Sequence, residues 1–437
     1  MKTTFRALCC FFSALLLFSA LSLPAFAREE PEISGVRTAL LYNVENDRVL
    51  YSLNSSEKVY PASSVKLMTA YLAYGALSER LEETVTVTRE MLRGVAGYRA
   101  GLEEGDQLQI EALFYTMLMR GANDSAYVLA YLVSGSTEAF VEKMNETAAS
   151  LGMKDTRYAN PGGMHEAAMV TTAADTLKIA RAFAGEEKLL EISGTVKYNF
   201  RRAGQSTGLA IYNKNALISK VNTTAYYYEY AKGMNYGSTE ESGITVTSCA
   251  QAGGLTYLCV VIGGREDPAT GADTACDAAS KLLRYGVEGF AYKTLVDPGT
   301  PVCELPVTLS AKTDFVMLLP RETITVFLPS DVNEASDVTY SHRLTEASLE
   351  APVVRGTPAG YLNVYYKGDQ IGSVELVTGD DIERNEFLYL LSEIKRISRG
   401  RFFKAAVISA AVLTLVYVLA VAAIRRKRAR RGTRYHF

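Results

Sequence analysis

Residues 405–424 run for 20 positions without a charge, long enough to cross the roughly 30 Å hydrocarbon core of a bilayer as a helix. Arg425, Arg426, Lys427, Arg428, Arg430 and Arg431 follow at once. Directly after a spanning helix, such a cluster reads as a cytoplasmic stop signal rather than a nucleic-acid patch. At the other end, residues 1–27 read as a secretory signal: Lys2 and Arg6, an apolar run over residues 7–23, then Ala25-Phe26-Ala27 as a small-residue cleavage site. Cys9 and Cys10 open the apolar run instead of closing it, which argues against a lipid-modified cysteine at the cleavage point. These ends confine the folded part to residues 28–404 and predict a single-pass membrane protein with its bulk outside the cell and residues 425–437 as a basic cytoplasmic tail.

Charge and cysteine content then exclude several classes. Nine of the 46 basic residues lie in the two ends, where there is no acid, so the intervening part holds 37 basic against 48 acidic residues, a net of about −11. That disfavours nucleic acid as a partner. Four cysteines remain after cleavage, Cys249, Cys259, Cys276 and Cys303, and neither they nor His165, His342 and His436 show zinc-site spacing. We expect no metal and no cofactor. A serine, histidine and aspartate triad is hard to build, because His165 is the only histidine before residue 300 and sits in the loop Asn160-Pro161-Gly162-Gly163-Met164-His165, where a structural role is expected.

An apolar-patterned block over residues 33–290 changes character at Asp297-Pro298-Gly299-Thr300-Pro301. We place a first domain at 28–292 and a small all-β domain at 293–380. Short alternating runs carry the second: residues 315–319, 323–328, and 361–366 joined through Lys367-Gly368-Asp369 to 371–377. Over 381–404, Phe387, Leu391, Ile394 and Ile397 line one helical face, an ordinary juxtamembrane helix leading to the 405–424 span.

Chemistry concentrates at Tyr60-Pro61-Ala62-Ser63-Ser64-Val65-Lys66. Ser63 follows two strand-like runs, 37–42 and 48–53, joined by Glu45-Asn46-Asp47, and precedes a helical pattern with proline at its first turn. Ser55/Lys58 and Ser392/Lys395 share the three-residue spacing but not this context. Positions three apart share a helix face, so the Lys66 amine can reach the Ser63 hydroxyl. Desolvation would lower the lysine pKa and make it a proton acceptor. A surface helix start with a solvated lysine is the alternative.

Farther on, Gly121-Ala122-Asn123-Asp124 breaks a helical pattern, pointing side chains toward a neighbouring cleft. Residues 244–250 and 255–262 alternate around Ala252-Gly253-Gly254, a hairpin signal, and Lys232-Gly233-Met234-Asn235-Tyr236-Gly237-Ser238-Thr239 fits an inner strand of the same sheet. With the hairpin centred on Gly254, Cys249 and Cys259 face each other at disulfide range; two small buried apolar side chains are the other reading.

With these elements the chain resembles the serine D-alanyl-D-alanine carboxypeptidases, the low-molecular-mass penicillin-binding proteins. The likeness spans nearly all of the mature chain: the Pro-Ala-Ser-x-x-Lys helix start, the Asn-Asp break, Leu151-Gly152-Met153 with Asn160-Pro161-x-Gly163, the Gly263-Gly264-Arg265 strand end, a β-rich C-terminal domain and an anchor. The resemblance implies an α/β fold of the β-lactamase/transpeptidase type, an antiparallel sheet flanked by helices with an all-helical lobe at about 85–185, followed by the all-β domain and one transmembrane helix. It implies Ser63 as acyl-ester nucleophile, Lys66 as general base, Asn123 as holder of the substrate amide, and Asn235, Tyr236, Gly237 and Ser238 along the substrate, with the Ser63 and Ser238 N–H groups as the oxyanion hole. The implied partners are peptidoglycan stem peptides and β-lactams.

Two positions depart from the family pattern. Gly121 stands where the family has the serine of Ser-x-Asn, and Asn235-Tyr236 stand where it has Lys-Thr, removing a proton relay and a cation and adding a ring where the cleft needs room. No arginine or lysine occurs over residues 266–280, where relatives often place another carboxylate partner. The expectation is therefore a carboxypeptidase of reduced turnover, against the alternative of a degenerate relative that binds stem peptides as a regulatory or scaffold module. Arg120, Lys214, Lys220 and Lys232 are the cations available to compensate.

Overall fold

The computed structural model describes residues 30–432 apart from 203, 205–207 and 222, so the expected signal at 1–27 lies outside the described residues. Two units divide the chain: one runs to Ala291 and takes in Phe327–Asp331, and the other holds Tyr292–Val326 and continues from Val332.

The first unit begins with β1 (Thr38–Asn43), β2 (Arg48–Leu53), α1 (Val65–Leu77), β3 (Thr84–Thr86), β4 (Gln107–Gln109), α2 (Ile110–Arg120) and α3 (Asn123–Ser134). It continues with α4 (Thr137–Ser150), α5 (Ala173–Ala184), α6 (Glu187–Gly194), β5 (Lys197–Phe200), β6 (Leu209–Tyr212), β7 (Ala231–Thr239), β8 (Gly243–Ala252), β9 (Leu255–Gly264) and α7 (Thr274–Gly289). Five strands form one antiparallel sheet in the order β2-β1-β9-β8-β7. Period-two alternation sends its side chains to two cores. Leu41, Val246, Tyr257, Cys259 and Val261 face α7, whose Ala275, Ala279, Leu282 and Leu283 cover them. Tyr42, Cys249 and Leu258 face the helices, where Phe114, Met117, Phe140 and Phe183 fill the second core. α1 runs through that second core and is buried over most of its circumference. A helix so enclosed cannot be the surface helix of the alternative reading.

Three sequence expectations are corrected here. β7 is an edge strand, not an inner one, so its outer backbone groups are not paired with another strand of the sheet. The lobe between 85 and 185 is not all helical: β3 pairs with β4, and a second ribbon, β5 with β6, follows it. Strands of three and four residues are too short to impose a readable alternation. The β8–β9 hairpin turns on Gly253 and Gly254 together, both at positive φ (58° and 77°), as a two-residue turn of this type requires. Its centre therefore lies between the glycines, Cys249 pairs with Leu258 and Ser248 with Cys259. One register step sends the two cysteines to opposite faces, each buried in a different core as a free thiol.

In the second unit six strands form a sheet in the order Val338–Leu344, Pro358–Tyr366, Asp369–Thr378, Phe315–Pro320, Cys303–Thr308 and Leu349–Glu350. The central hairpin turns on Lys367 and Gly368, both at positive φ. α8 (Glu386–Arg399) follows, capped at its start by the Asn385 side chain, and α9 (Arg401–Gly432) after it contains a helix long and apolar enough to cross a membrane.

Candidate active site

Pro61 and a single 3-10 turn, Ala62–Ser64, lead into α1. Ala62 holds a left-handed φ of 44°, a strained conformation for a residue with a Cβ, immediately before Ser63. One turn on, the Lys66 side chain is 1% exposed, its Nζ 3.5 Å from Ser63 Oγ and donating to the Gly162 carbonyl. Burial, and after it the nearby Lys214 charge, bring the Lys66 pKa down to about 7. A lysine amine brought down toward neutrality can act as a general base. The loop that covers it is fixed by Asn160, whose Oδ1 accepts from the Gly163 and Met164 N–H groups and whose Nδ2 donates to the Met164 carbonyl.

The helix break supplies the second wall. Gly121 ends α2 at φ 77° with its N–H on the Met117 carbonyl, the left-handed cap that glycine adopts most cheaply. Asn123 opens α3, 4% exposed; its N–H donates to Tyr98 O and its Nδ2 to Ala96 O, at 2.8 and 2.6 Å. Its Oδ1 has no protein partner. The neighbouring Asp124 carboxylate accepts from Ala100 and Leu102 N–H. Together they pin the loop that puts Gly97 and Tyr98 on the cleft wall.

β7 forms the third wall. A Cβ added at Gly237 would lie 2.1 Å from Ser63 Oγ, so the strand approaches the nucleophile as closely as a backbone can. Asn235, on the same strand face by alternation, is 2% exposed and has neither amide atom paired. Tyr236 lines the cleft, but its hydroxyl donates to Asp273 at 3.0 Å. Ser238 lines it as well.

Ser63, Lys66, Asn123, Tyr236, Gly237 and Ser238 thus share one cleft of about 610 Å³. Of the predicted site residues, only Asn235 is absent from its lining. Sequence reasoning missed Tyr98, Gly162, Glu240 and Glu241, and gave His165 no site role. The Asn-Pro-x-Gly loop pointed to Gly162 and His165; Tyr98 and the two glutamates carried no signal. Lys214 was one of four candidate cations and is the one that reaches the cleft.

The chain belongs to the D-alanyl-D-alanine carboxypeptidase family, which it matches over residues 25–266; residues 290–384 match the C-terminal domain of penicillin-binding protein 5. Family members are serine-type hydrolases. D-alanyl-D-alanine carboxypeptidase DacF of Bacillus subtilis is 25% identical over 375 residues, 84% of this chain and 92% of the relative. DacC of Escherichia coli is 26% identical over 382 residues, 85% and 90% of the two chains. Among solved structures, penicillin-binding protein 5 from Haemophilus influenzae superposes with a TM-score of 0.57 at 22% identity, covering 82% of this chain and all of that one. Penicillin-binding protein 6B from Escherichia coli gives 0.59 at 22% identity, covering 81% and 98%. These likenesses establish the α/β fold with its C-terminal β domain.

Proposed function

We propose that this chain is a serine-type D-alanyl-D-alanine carboxypeptidase that trims the terminal D-alanine from peptidoglycan stem peptides. Ser63 Oγ attacks the penultimate D-alanine carbonyl while Lys66 Nζ takes its proton. The oxyanion collects on the N–H groups of Ser63 and Ser238, and its collapse expels D-alanine, whose nitrogen takes the proton held on Lys66 Nζ. Water then hydrolyses the Ser63 ester. Asn123 holds the substrate amide, and an extended peptide lies along the free edge of β7, with Asn235, Tyr236 and Gly237 beneath it. β-Lactams acylate the same oxygen. The C-terminal helix anchors the protein in the membrane with the basic residues after it on the cytoplasmic side and both folded units facing the wall.

The observation that carries this reading is the buried Lys66 amine at 3.5 Å from the Ser63 hydroxyl. Its test is D-alanine release from a peptide ending in D-Ala-D-Ala, with covalent labelling by a fluorescent penicillin and Ser63→Ala as control. Release that depends on Ser63 is expected, and absence of both release and label would refute the reading. Gly121 and the unpaired Asn235 amide favour a second one, a module that binds stem peptides without turning them over; label without release would support it.

A further inference from the structure

A carboxypeptidase must recognise a free C-terminal carboxylate, and at residue 235 this chain has a neutral amide. The cleft still contains a cation that no motif assigns. Among the residues lining it, Lys66 and Lys214 are the only lysines or arginines, and Lys66 is committed to Ser63 and the Gly162 carbonyl. The other candidates do not line it, although Arg120 stands beside Lys214 over the same Tyr98 ring. Arg120 is bonded to the Tyr98 hydroxyl and the Tyr212 carbonyl, Lys220 stands over the Tyr227 ring, and Lys232 lines a different cavity with Glu187, Glu191 and Glu229.

Lys214 is held in place from both sides. Asn213 and Asn215, each 2% exposed, clamp the backbone on both sides of it. Asn213 Nδ2 donates to the Ser193 and Thr195 carbonyls, and its Oδ1 accepts the Asn215 N–H. Asn215 Oδ1 in turn accepts from Leu217 N–H. The Lys214 N–H reaches Met119 O at the end of α2, two residues before Gly121, where a built Cβ would meet nothing within 4 Å. The Lys214 ammonium lies 4.0 Å from the Tyr98 ring centroid, a cation–π contact that orients it without neutralising it. No ion pair ties it to a carboxylate among the described residues.

We infer that Lys214 is the anion-recognition residue of this cleft, taking the substrate's terminal carboxylate from the segment after β6 in place of a cation at residue 235. The inference rests on the proposed carboxypeptidase reading. A hydrogen bond to a charged group discriminates by about tenfold or more in affinity, so a neutral C-terminus is selected against.

Equilibrium binding tests it without requiring turnover. In the full-length Ser63→Ala protein, titration with a peptide ending in D-Ala-D-Ala and with its C-terminal amide should show a preference for the carboxylate of about tenfold or more. Lys214→Met, which keeps the apolar stem against Tyr98, should abolish that preference, while Lys214→Arg and Lys232→Ala should retain it. A preference that survives Lys214→Met would overturn the inference, as would absence of any preference before the substitution or failure to bind either peptide. Penicillin labelling of the protein with Ser63 intact reports separately on the enzyme reading: label with no carboxylate preference leaves that reading standing and removes Lys214 alone.

Discussion

The start of α1 and the middle of β7 meet at one oxygen atom, yet they tolerate different degrees of change. α1 contributes side-chain chemistry, a hydroxyl and an amine in fixed register, and both residues match the family pattern. β7 contributes backbone: Gly237 passes against Ser63, and the strand edge offers N–H and C=O groups whatever its side chains are. Side-chain differences at Asn235 and Tyr236 therefore leave its geometry standing, and the charge that the resemblance leads one to expect there is the one we propose Lys214 supplies. A function carried by a side chain is lost with one substitution, and one carried by backbone is not.

The comparison is broken most directly at Ser63. Ser63→Ala should remove all covalent penicillin label from the purified protein while leaving the fold intact by circular dichroism, and residual label would place the nucleophile elsewhere. Gly237→Ala attacks the backbone side: its methyl must displace Ser63 Oγ, and misplacement of a reacting atom by about 1 Å costs on the order of 10²-fold. We expect the second-order acylation rate to fall by about that factor; an unchanged rate would show that the close approach is not needed.

A pH profile sharpens the α1 side. A lysine can serve as base only when neutral, so with Lys66 in the proposed role acylation should rise with pH through about 7, the value to which burial and Lys214 bring its pKa. Lys214→Met removes a like charge and should move that limb to higher pH. The other titratable groups lining the cleft, Tyr98, His165, Tyr236, Glu240 and Glu241, with Arg120 beside Lys214, stay in place in both proteins. A limb that does not move would mean that the two ammonium groups are not coupled.

Smaller effects test the departures. Gly121→Ser restores the family hydroxyl at φ 77°, where a side chain costs about 1–2 kcal/mol. A melting temperature lower by a few degrees is expected, with no clash because the space is open; a gain in stability would contradict the left-handed cap. Smallest of all, intact mass should be identical with and without reductant, because Cys249 and Cys259 lie on opposite sheet faces.

Much of this was legible in the residues. The strand pair before Ser63, the helix after it and the break at Asn123 follow from local periodicity and from glycine and proline placement, which act within a few positions. The β8–β9 hairpin was legible too, but its register hung on whether one glycine or two make the turn. β3 through β6 were not, because their short ribbons are held by distant contacts and not by their own pattern. The closing of the cleft by Tyr98 depends on Asn123 and Asp124 fixing a loop some 25 positions earlier.

By itself the sequence determined which groups are available: a serine and a lysine one helical turn apart, four spare cations, and an apolar segment of membrane-crossing length. Tertiary structure alone decided that Lys66 is buried under a loop 96 residues away and that Lys214, of the four, stands beside it. The reason is that desolvation and Coulomb interaction depend on distance through space, and spacing along the chain fixes that distance only within a single helix or hairpin.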